Sequence, residues 1–361
     1  MSDVVNTTKH GAVAVVSINN PPVNALSLAV RQGLQDAVLA ADADESVAAI
    51  VILGEGRAFI AGADIKEFGK PPMEPHLPDV CARIEAISKP LIASMHGVSL
   101  GGGLEVAVST HYRVAAPSAR VGLPEVHLGL IPGAGGTQRV PRLTSAEAAI
   151  EIITSGRHVG AAEAARLGLI DRVVDGTPLE NGLAYAEELI AQGAGPRRSS
   201  ALGHPDPLNW DATYDAVLAK GRGQISPAYA VRAIQASVEK PFDEGIAEER
   251  RIFWELMNTD QRKGMIHAFF SERAVGNLPE LKGVAPRELA AIGVIGGGTM
   301  GAGIATAVLL SGLSVVMLEM SAEAAEAAKE RIVGNLQGAL KRGKIDPVSY
   351  THLTLPTICS V

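Results

Sequence analysis

Apolar positions along the chain fall into two spacings: short continuous runs, and wider intervals of three and four. Residues 12–19 (AVAVVSIN) form a β-branched run that predicts a strand, closed by the turn Asn20-Pro21-Pro22-Val23-Asn24. Ser27 stands where it can cap a helix over residues 28–41, with Val30, Leu34, Val38 and Leu39 as its apolar positions. Residues 47–53 and 90–96 read as buried strands. Between them, Pro71, Pro72, Pro75 and Pro78 break the pattern and predict a loop ahead of a helix over residues 79–87. Helical spacing returns over residues 146–154 and 161–167, followed by a strand up to Val174. The breaker-rich stretch GAGPRRSSALGHPDP, residues 193–207, reads as a linker. Helices follow near residues 214–220, 228–240 and 242–257. A last one begins after Thr259-Asp260 with Met265, Ile266, Phe269 and Phe270 on one face. Strands alternating with helices predict an α/β architecture.

At 361 residues the chain exceeds what one core usually needs, so two domains are expected. A hydrophobic share of 47% with 20% charged residues fits a globular protein, and only 4% aromatic residues means a mostly aliphatic core. The net charge of −7 argues against a nucleic-acid partner. No apolar run reaches membrane-spanning length, and residues 1–11 lack the basic start and apolar stretch of a signal peptide. Cys81 and Cys359 have no metal-ligand spacing around them, so no metal is expected and cysteine usage fits a reducing cytoplasm.

Candidate chemistry concentrates between Val98 and Arg139. Gly101-Gly102-Gly103-Leu104-Glu105 puts a carboxylate one turn into a helix that opens on a glycine triplet, and Glu125 precedes a second glycine-rich stretch, residues 129–139. Paired acids beside free backbone donors suggest acid/base chemistry on a carbonyl compound. Gly102, at the helix amino terminus, offers an N–H to a negative oxygen. The small-residue segment Ala61-Gly62-Ala63 is the best candidate for a second donor.

The blocks NPPVNALS (residues 20–27), FIAGADIKEF (59–68), HGVSLGGGLEVA (96–107) and LPEVHLGLIPGAGGTQRVPRL (123–143) resemble the crotonase, or enoyl-CoA hydratase, superfamily in family order. The resemblance covers about the first 190 residues and implies a spiral of ββα units. It implies that Ala63 and Gly102 supply the two oxyanion-hole amides and that Glu105 and Glu125 are the two catalytic carboxylates. It also implies that the loop of Ala61, Gly62, Asp64 and Ile65 holds the adenine end of a coenzyme A thioester. With both acids present, hydration of a 2-trans-enoyl-CoA to a 3-hydroxyacyl-CoA is expected, with 3-enoyl-CoA isomerisation as a side activity. A silent fragment that binds coenzyme A or NAD without turnover is the alternative. His96 and His127 read as structural or solvent-facing, and Arg57, Lys66 and Lys70 as a solvated loop face.

A second beginning follows. A strand ending at Ile295, the turn Gly296-Gly297-Gly298-Thr299-Met300-Gly301, a helix through Leu310 and a strand over residues 314–318 ending at Glu319 make a dinucleotide fingerprint. Gly296, Gly298 and Gly301 are its glycines. Glu319 stands roughly 20 residues after them, at the spacing for a ribose hydroxyl, which favours NAD over NADP. A hydratase followed by this fingerprint resembles the bifunctional hydratase and 3-hydroxyacyl-CoA dehydrogenase proteins of β-oxidation. In that family the dehydrogenase histidine and the helical substrate domain lie further on, so the Rossmann βαβ unit is expected to be incomplete and inactive. The expected division is a hydratase core over 1–190, a helical extension and linker over 191–285, a partial NAD-binding unit over 286–346 and a non-native tail over 347–361. Association with a thiolase, or self-association, is the partner expectation.

Overall fold

The computed structural model describes residues 4–64, 67, 69, 71–276, 278–346 and 350. Of the expected site residues, Ile65 lies outside these, as do Lys66, Lys70 and nearly all of the 347–361 tail.

The chain begins with a hairpin, β1 (Val5–His10) and β2 (Val13–Ile18), followed by α1 (Leu28–Ala43), β3 (Ala49–Gly54) and α2 (Leu77–Ala86). Sequence patterning identified β2 but not β1. Only Val5 of β1 is buried, the rest being a polar edge paired antiparallel to β2. Strand–strand–helix steps come next: β4 (Leu91–Met95), β5 (Val98–Leu100) and α3 (Gly102–Ser109), then β6 (Tyr112–Ala115), β7 (Arg120–Gly122), a 3₁₀ turn (Glu125–Leu128) and α4 (Gly136–Leu143). After α5 (Ala146–Ser155) the order is β8 (Val159–Gly160), α6 (Ala161–Leu167), β9 (Arg172–Val173) and α7 (Pro178–Ala191). In these steps one strand joins a six-stranded sheet, ordered β1-β2-β3-β4-β6-β9, and the other joins a three-stranded sheet, β5-β7-β8. This is the expected ββα spiral.

The large sheet is parallel from β2 to β9 and has both faces covered, so its inner strands are mostly apolar, and the buried Ser94 and Arg113 donate to backbone carbonyls. Along β3, Ile50 and Ile52 enter the main core while Val51 and Leu53 pack against Tyr185, Ala186 and Leu189 of α7. Burying each such side chain stabilises the fold by about 1.5–3 kcal/mol.

Four helices complete this unit: α8 (Trp210–Lys220), α9 (Ser226–Glu239), α10 (Phe242–Met257) and α11 (Asp260–Val275). Helix α9 packs on α4, α5, α8 and α10, and α11 lies against the 3₁₀ turn that carries Glu125. The breaker-rich stretch before α8 is pinned, because Arg198 donates to the Glu85 carbonyl (3.0 Å) and Ser199 to its carboxylate (2.8 Å). Contacts therefore divide the chain into residues 1–276 and 277–361.

The second unit holds β10 (Ala291–Ile295), α12 (Thr299–Leu310), β11 (Ser314–Leu318) and α13 (Ala322–Lys341). Its two strands are parallel. Val294, Val315 and Met317 face α12 and α13, while Ile295, Val316 and Leu318 on the other face remain exposed. Among the described residues, no helix is long and apolar enough to cross a membrane.

Candidate active site

Two segments run side by side to build the site. A bridge pairs Ile60 with Ser99, and Leu100 N donates to Ile60 O (3.1 Å). So close is the approach that a Cβ on Gly103 would stand 2.1 Å from the Ile60 carbonyl oxygen, and one on Gly102 would stand 2.6 Å from the Leu77 side chain. Gly101 turns the chain into α3 with φ +53°, a conformation natural to glycine. Leu104 and Glu105 both donate their amides to the Gly101 carbonyl. Ala61 N donates to Val23 O, and Leu26 N to Gly62 O. Among the described residues, the Ala63 and Gly102 amides take part in none of these backbone pairings. Ala61 and Asp64 are half-buried, Gly62 is buried and Ala63 is exposed.

Glu105 is only 3% exposed, and its Oε1 accepts from Ala134 N (2.7 Å) and Gly136 N (2.9 Å). Glu125 opens the 3₁₀ turn and directs its Oε1 at Gly101, where a Cβ would stand 3.1 Å away. Its Oε2 is sealed from solvent with no hydrogen-bond partner among the described residues. The Glu105 carboxylate is thus held at the glycine-rich start of α4 and that of Glu125 at the Gly101 turn, near enough that the Glu105 charge raises the Glu125 proton affinity.

A third carboxyl, absent from the sequence-based set, completes the cluster. Glu249 of α10 is 1% exposed, and it accepts from Gly135 N (2.7 Å), Thr137 N (2.9 Å) and Thr137 Oγ1 (2.5 Å). Its only sequence signal is helical phase: Gly245, Glu249, Ile252 and Leu256 are the buried positions of α10. The local run Glu248-Glu249-Arg250-Arg251 otherwise resembles a solvated face.

Burial raises the proton affinity of all three acids. For Glu105 the Ala134 and Gly136 amides and Arg139 oppose that rise without cancelling it. Glu125 is pushed well above the ordinary carboxylate range by burial and by the charges of Glu105 and Glu249. Burial and the Glu105 charge push Glu249 up to about 8. Cys81 is buried nearby, and burial pushes its thiol up to about 12, which leaves it a poor nucleophile.

Sequence reading also missed Glu67, whose carboxylate accepts from Leu28 N and Arg31 (2.7 Å each) and so ties the loop after Ala63 to the start of α1. His96 Nε2 is 2.9 Å from Gly56 O, and His127 is exposed. Arg57 donates to Pro22 O (3.0 Å).

In the second unit, Gly296 has φ +85°, and a Cβ on Gly301 would stand 1.8 Å from its carbonyl oxygen. Gly298 caps α12. Glu319, just past β11, accepts from Gly297 N, while Arg331 donates to Gly297 O (3.0 Å). A bare glycine turn at a helix start with a carboxylate beside it fits the pyrophosphate and ribose of a dinucleotide.

Residues 8–198 match the family model described as enoyl-CoA hydratase/isomerase. Residues 291–355 match that of the 3-hydroxyacyl-CoA dehydrogenase NAD-binding domain. The peroxisomal bifunctional enzyme of Danio rerio is 40% identical over 340 residues, covering 92% of this chain and 47% of the relative. The glyoxysomal fatty acid beta-oxidation multifunctional protein MFP-a of Brassica napus is 37% identical over 357 residues, covering 94% of this chain and 49% of the relative. The chain therefore spans about half the length of these curated relatives. Among solved structures, the carnitinyl-CoA hydratase of Mycobacterium avium is similar with a TM-score of 0.56 and 30% identity, over 75% of this chain and 97% of that one.

Proposed function

Because the chain belongs to the enoyl-CoA hydratase/isomerase family, we propose that its first unit adds water to 2-trans-enoyl-CoA in β-oxidation, giving 3-hydroxyacyl-CoA. The observation that carries this reading is the pair of neighbouring carboxyls, Glu105 held on the Ala134 and Gly136 amides and Glu125 directed at Gly101, close enough that the Glu105 charge raises the Glu125 proton affinity.

In the proposed reaction the substrate's thioester oxygen accepts from the Ala63 and Gly102 amides. One carboxylate takes a proton from water as its oxygen bonds to C3. The C2–C3 π electrons move through the carbonyl onto the thioester oxygen. Collapse of that enolate returns the electrons to C2, which takes a proton from the other carboxyl; we assign this delivery to Glu125. Fixed amides stabilise the enolate oxygen by several kcal/mol because they need no reorganisation as charge develops. Burial and then the Glu105 charge raise the proton affinity of Glu125, which favours the protonated form that the proton donor of this reaction needs. Ala61, Gly62, Asp64 and Ile65 form the proposed coenzyme A loop.

The test is the loss of enoyl-thioester absorbance on mixing crotonyl-CoA with the full chain. Wild type is expected to turn over, and Glu105→Gln or Glu125→Gln to lose roughly 10²–10⁴-fold in kcat, the usual contribution of a positioned acid or base. A folded wild type that leaves the absorbance intact supports instead the silent coenzyme A- or NAD-binding fragment.

For the second unit we propose NAD as the nucleotide, held by Gly296, Gly298, Gly301 and Glu319, the carboxylate disfavouring an extra 2′-phosphate. Bound NAD would supply a hydride acceptor. The chain's compartment is proposed from its relatives: their names place them in peroxisomes and glyoxysomes, which replaces the simple cytoplasmic expectation. Association with a thiolase or with a second copy belongs to the same proposal and is read by size-exclusion of the chain alone and mixed with thiolase.

A further inference from the structure

Four consecutive amides at the start of α4 are shared between two carboxylates from distant elements. Ala134 N and Gly136 N point to Glu105 of α3. Gly135 N and Thr137 N point the other way, to Glu249 of α10. The alternation depends on Gly135, whose φ is +97° and where a Cβ would stand 1.8 Å from the Arg139 guanidinium. These are the donors a helix start leaves without intrahelical partners. A neutral cap would satisfy them at less cost than a second buried acid, since taking a carboxylate out of water is expensive. Thr137 Oγ1 adds a third hydrogen bond to Glu249 at 2.5 Å.

We propose that Glu249 is a positioning residue for hydration: by holding Gly135 and Thr137 from behind, it fixes the Ala134 and Gly136 amides against Glu105. This inference rests on the hydratase reading above and deepens it, because it makes α10, far along the chain from both candidate acids, part of the site. Glu249 touches no substrate in this assignment. It acts through one peptide segment, so loosening the segment lets Glu105 drift from the geometry the water requires. Positioning errors of this kind lower kcat, whereas the thioester amides and the coenzyme A loop lie elsewhere and leave KM unchanged.

The charged groups around Glu249 are Glu105 from α3, Glu125 from the 3₁₀ turn and Arg139 from α4, the last paired with Glu85 of α2 at 2.8 Å. Asp243 and Arg250 of α10 line the same small recess. An ionised Glu249 therefore works against ionisation of Glu105 and Glu125. Removing its charge lowers their proton affinity, which moves the alkaline limb of the kcat profile to lower pH.

The experiment measures crotonyl-CoA hydration by the full chain from pH 5 to 10. Glu249→Gln is expected to lose about tenfold in kcat with KM unchanged within about twofold, and to shift the alkaline limb toward lower pH. Glu249→Asp, which keeps the charge, is expected to keep the limb in place. A folded Glu249→Gln protein with the wild-type kcat and an unmoved limb overturns the inference, as does a loss confined to KM. If Glu249→Gln does not fold, Thr137→Val decides: removing the hydroxyl alone should lower kcat several-fold at constant KM, and an unchanged kcat overturns the positioning role. Failure of the wild type to hydrate removes the underlying reading and this inference with it. Failure of the variants to differ from an active wild type removes this inference alone.

Discussion

The clustered acids Glu105, Glu125 and Glu249 carry a stability consequence whose sign follows from their raised proton affinity. Glu249 has an ordinary value of 4.5 and is pushed up to about 8 in the fold, so the folded state holds its proton more tightly than the unfolded chain does. Its favourable contribution is complete below about 4.5 and is lost as pH rises through about 8. Glu105 and Glu125 are raised as well and act in the same direction. Thermal midpoints recorded from pH 5 to pH 9 are therefore expected to fall, and Glu249→Gln is expected to make that fall shallower. A wild-type midpoint that climbs over this range would contradict the buried cluster. Glu85 has the opposite sign. Burial alone would raise it, but the Arg139 guanidinium and the Ser199 and Ser200 donors hold it below the ordinary range, so its contribution is lost only in acid.

Elements rather than single residues explain why the acids meet. Helix α3 starts where it does because Gly101, the residue after β5, has a positive φ, and α4 starts on a turn gripped by two carboxylates. The ion pair of Arg139 (α4) with Glu85 (α2) ties α4 to α2, and the same Glu85 carboxylate receives Ser199 Oγ and Ser200 N at 2.8 Å each. Replacing Arg139 with Met leaves that carboxylate buried without its cation, a change expected to cost about 3–5 kcal/mol and to be read as a lower denaturation midpoint at unchanged slope. Much of this was legible in the sequence. The continuous apolar runs located β2, β3 and β4, and the glycine triplet located the start of α3. Glu105, Glu125 and the fingerprint glycines stood out because their neighbours are small. What escaped detection lacked a local signature. Strand β1 is a polar edge strand and β8 is two residues long, held by pairing across the fold, whereas β9, equally short, falls within the strand expected up to Val174. Glu249 sits in a charged helical run, and only the phase of its helix points it inward. The stretch over residues 193–207 has a linker's composition, yet Arg197, Arg198 and Ser199 tether it to Asp171 and Glu85.

At the scale of the whole chain, the two compact units give the proposed site a boundary that can be tested by cutting. Residues 1–276 contain the main core cluster, the packed helices α8 to α11, and Ala63, Gly102, Glu105, Glu125 and Glu249. Residues 277–361 contain a separate small core built on one face of a two-stranded sheet, with Ile295 86% and Met320 97% exposed. A chain ending at residue 276 keeps every group assigned to hydration and the apolar contacts that bury them, so its kcat and KM for crotonyl-CoA are expected to match those of the full chain within about twofold. A chain ending at residue 190, the boundary that composition and family resemblance suggested, loses α9 and α10. That exposes the faces of α4 and α5 that α9 covers and leaves the Gly135 and Thr137 amides without their carboxylate. It is expected to be recovered with little native circular dichroism or, where folded, with hydration reduced at least as far as in Glu249→Gln. Equal activity in both truncations would show that the helical extension is dispensable and would place the whole of the site within the spiral itself.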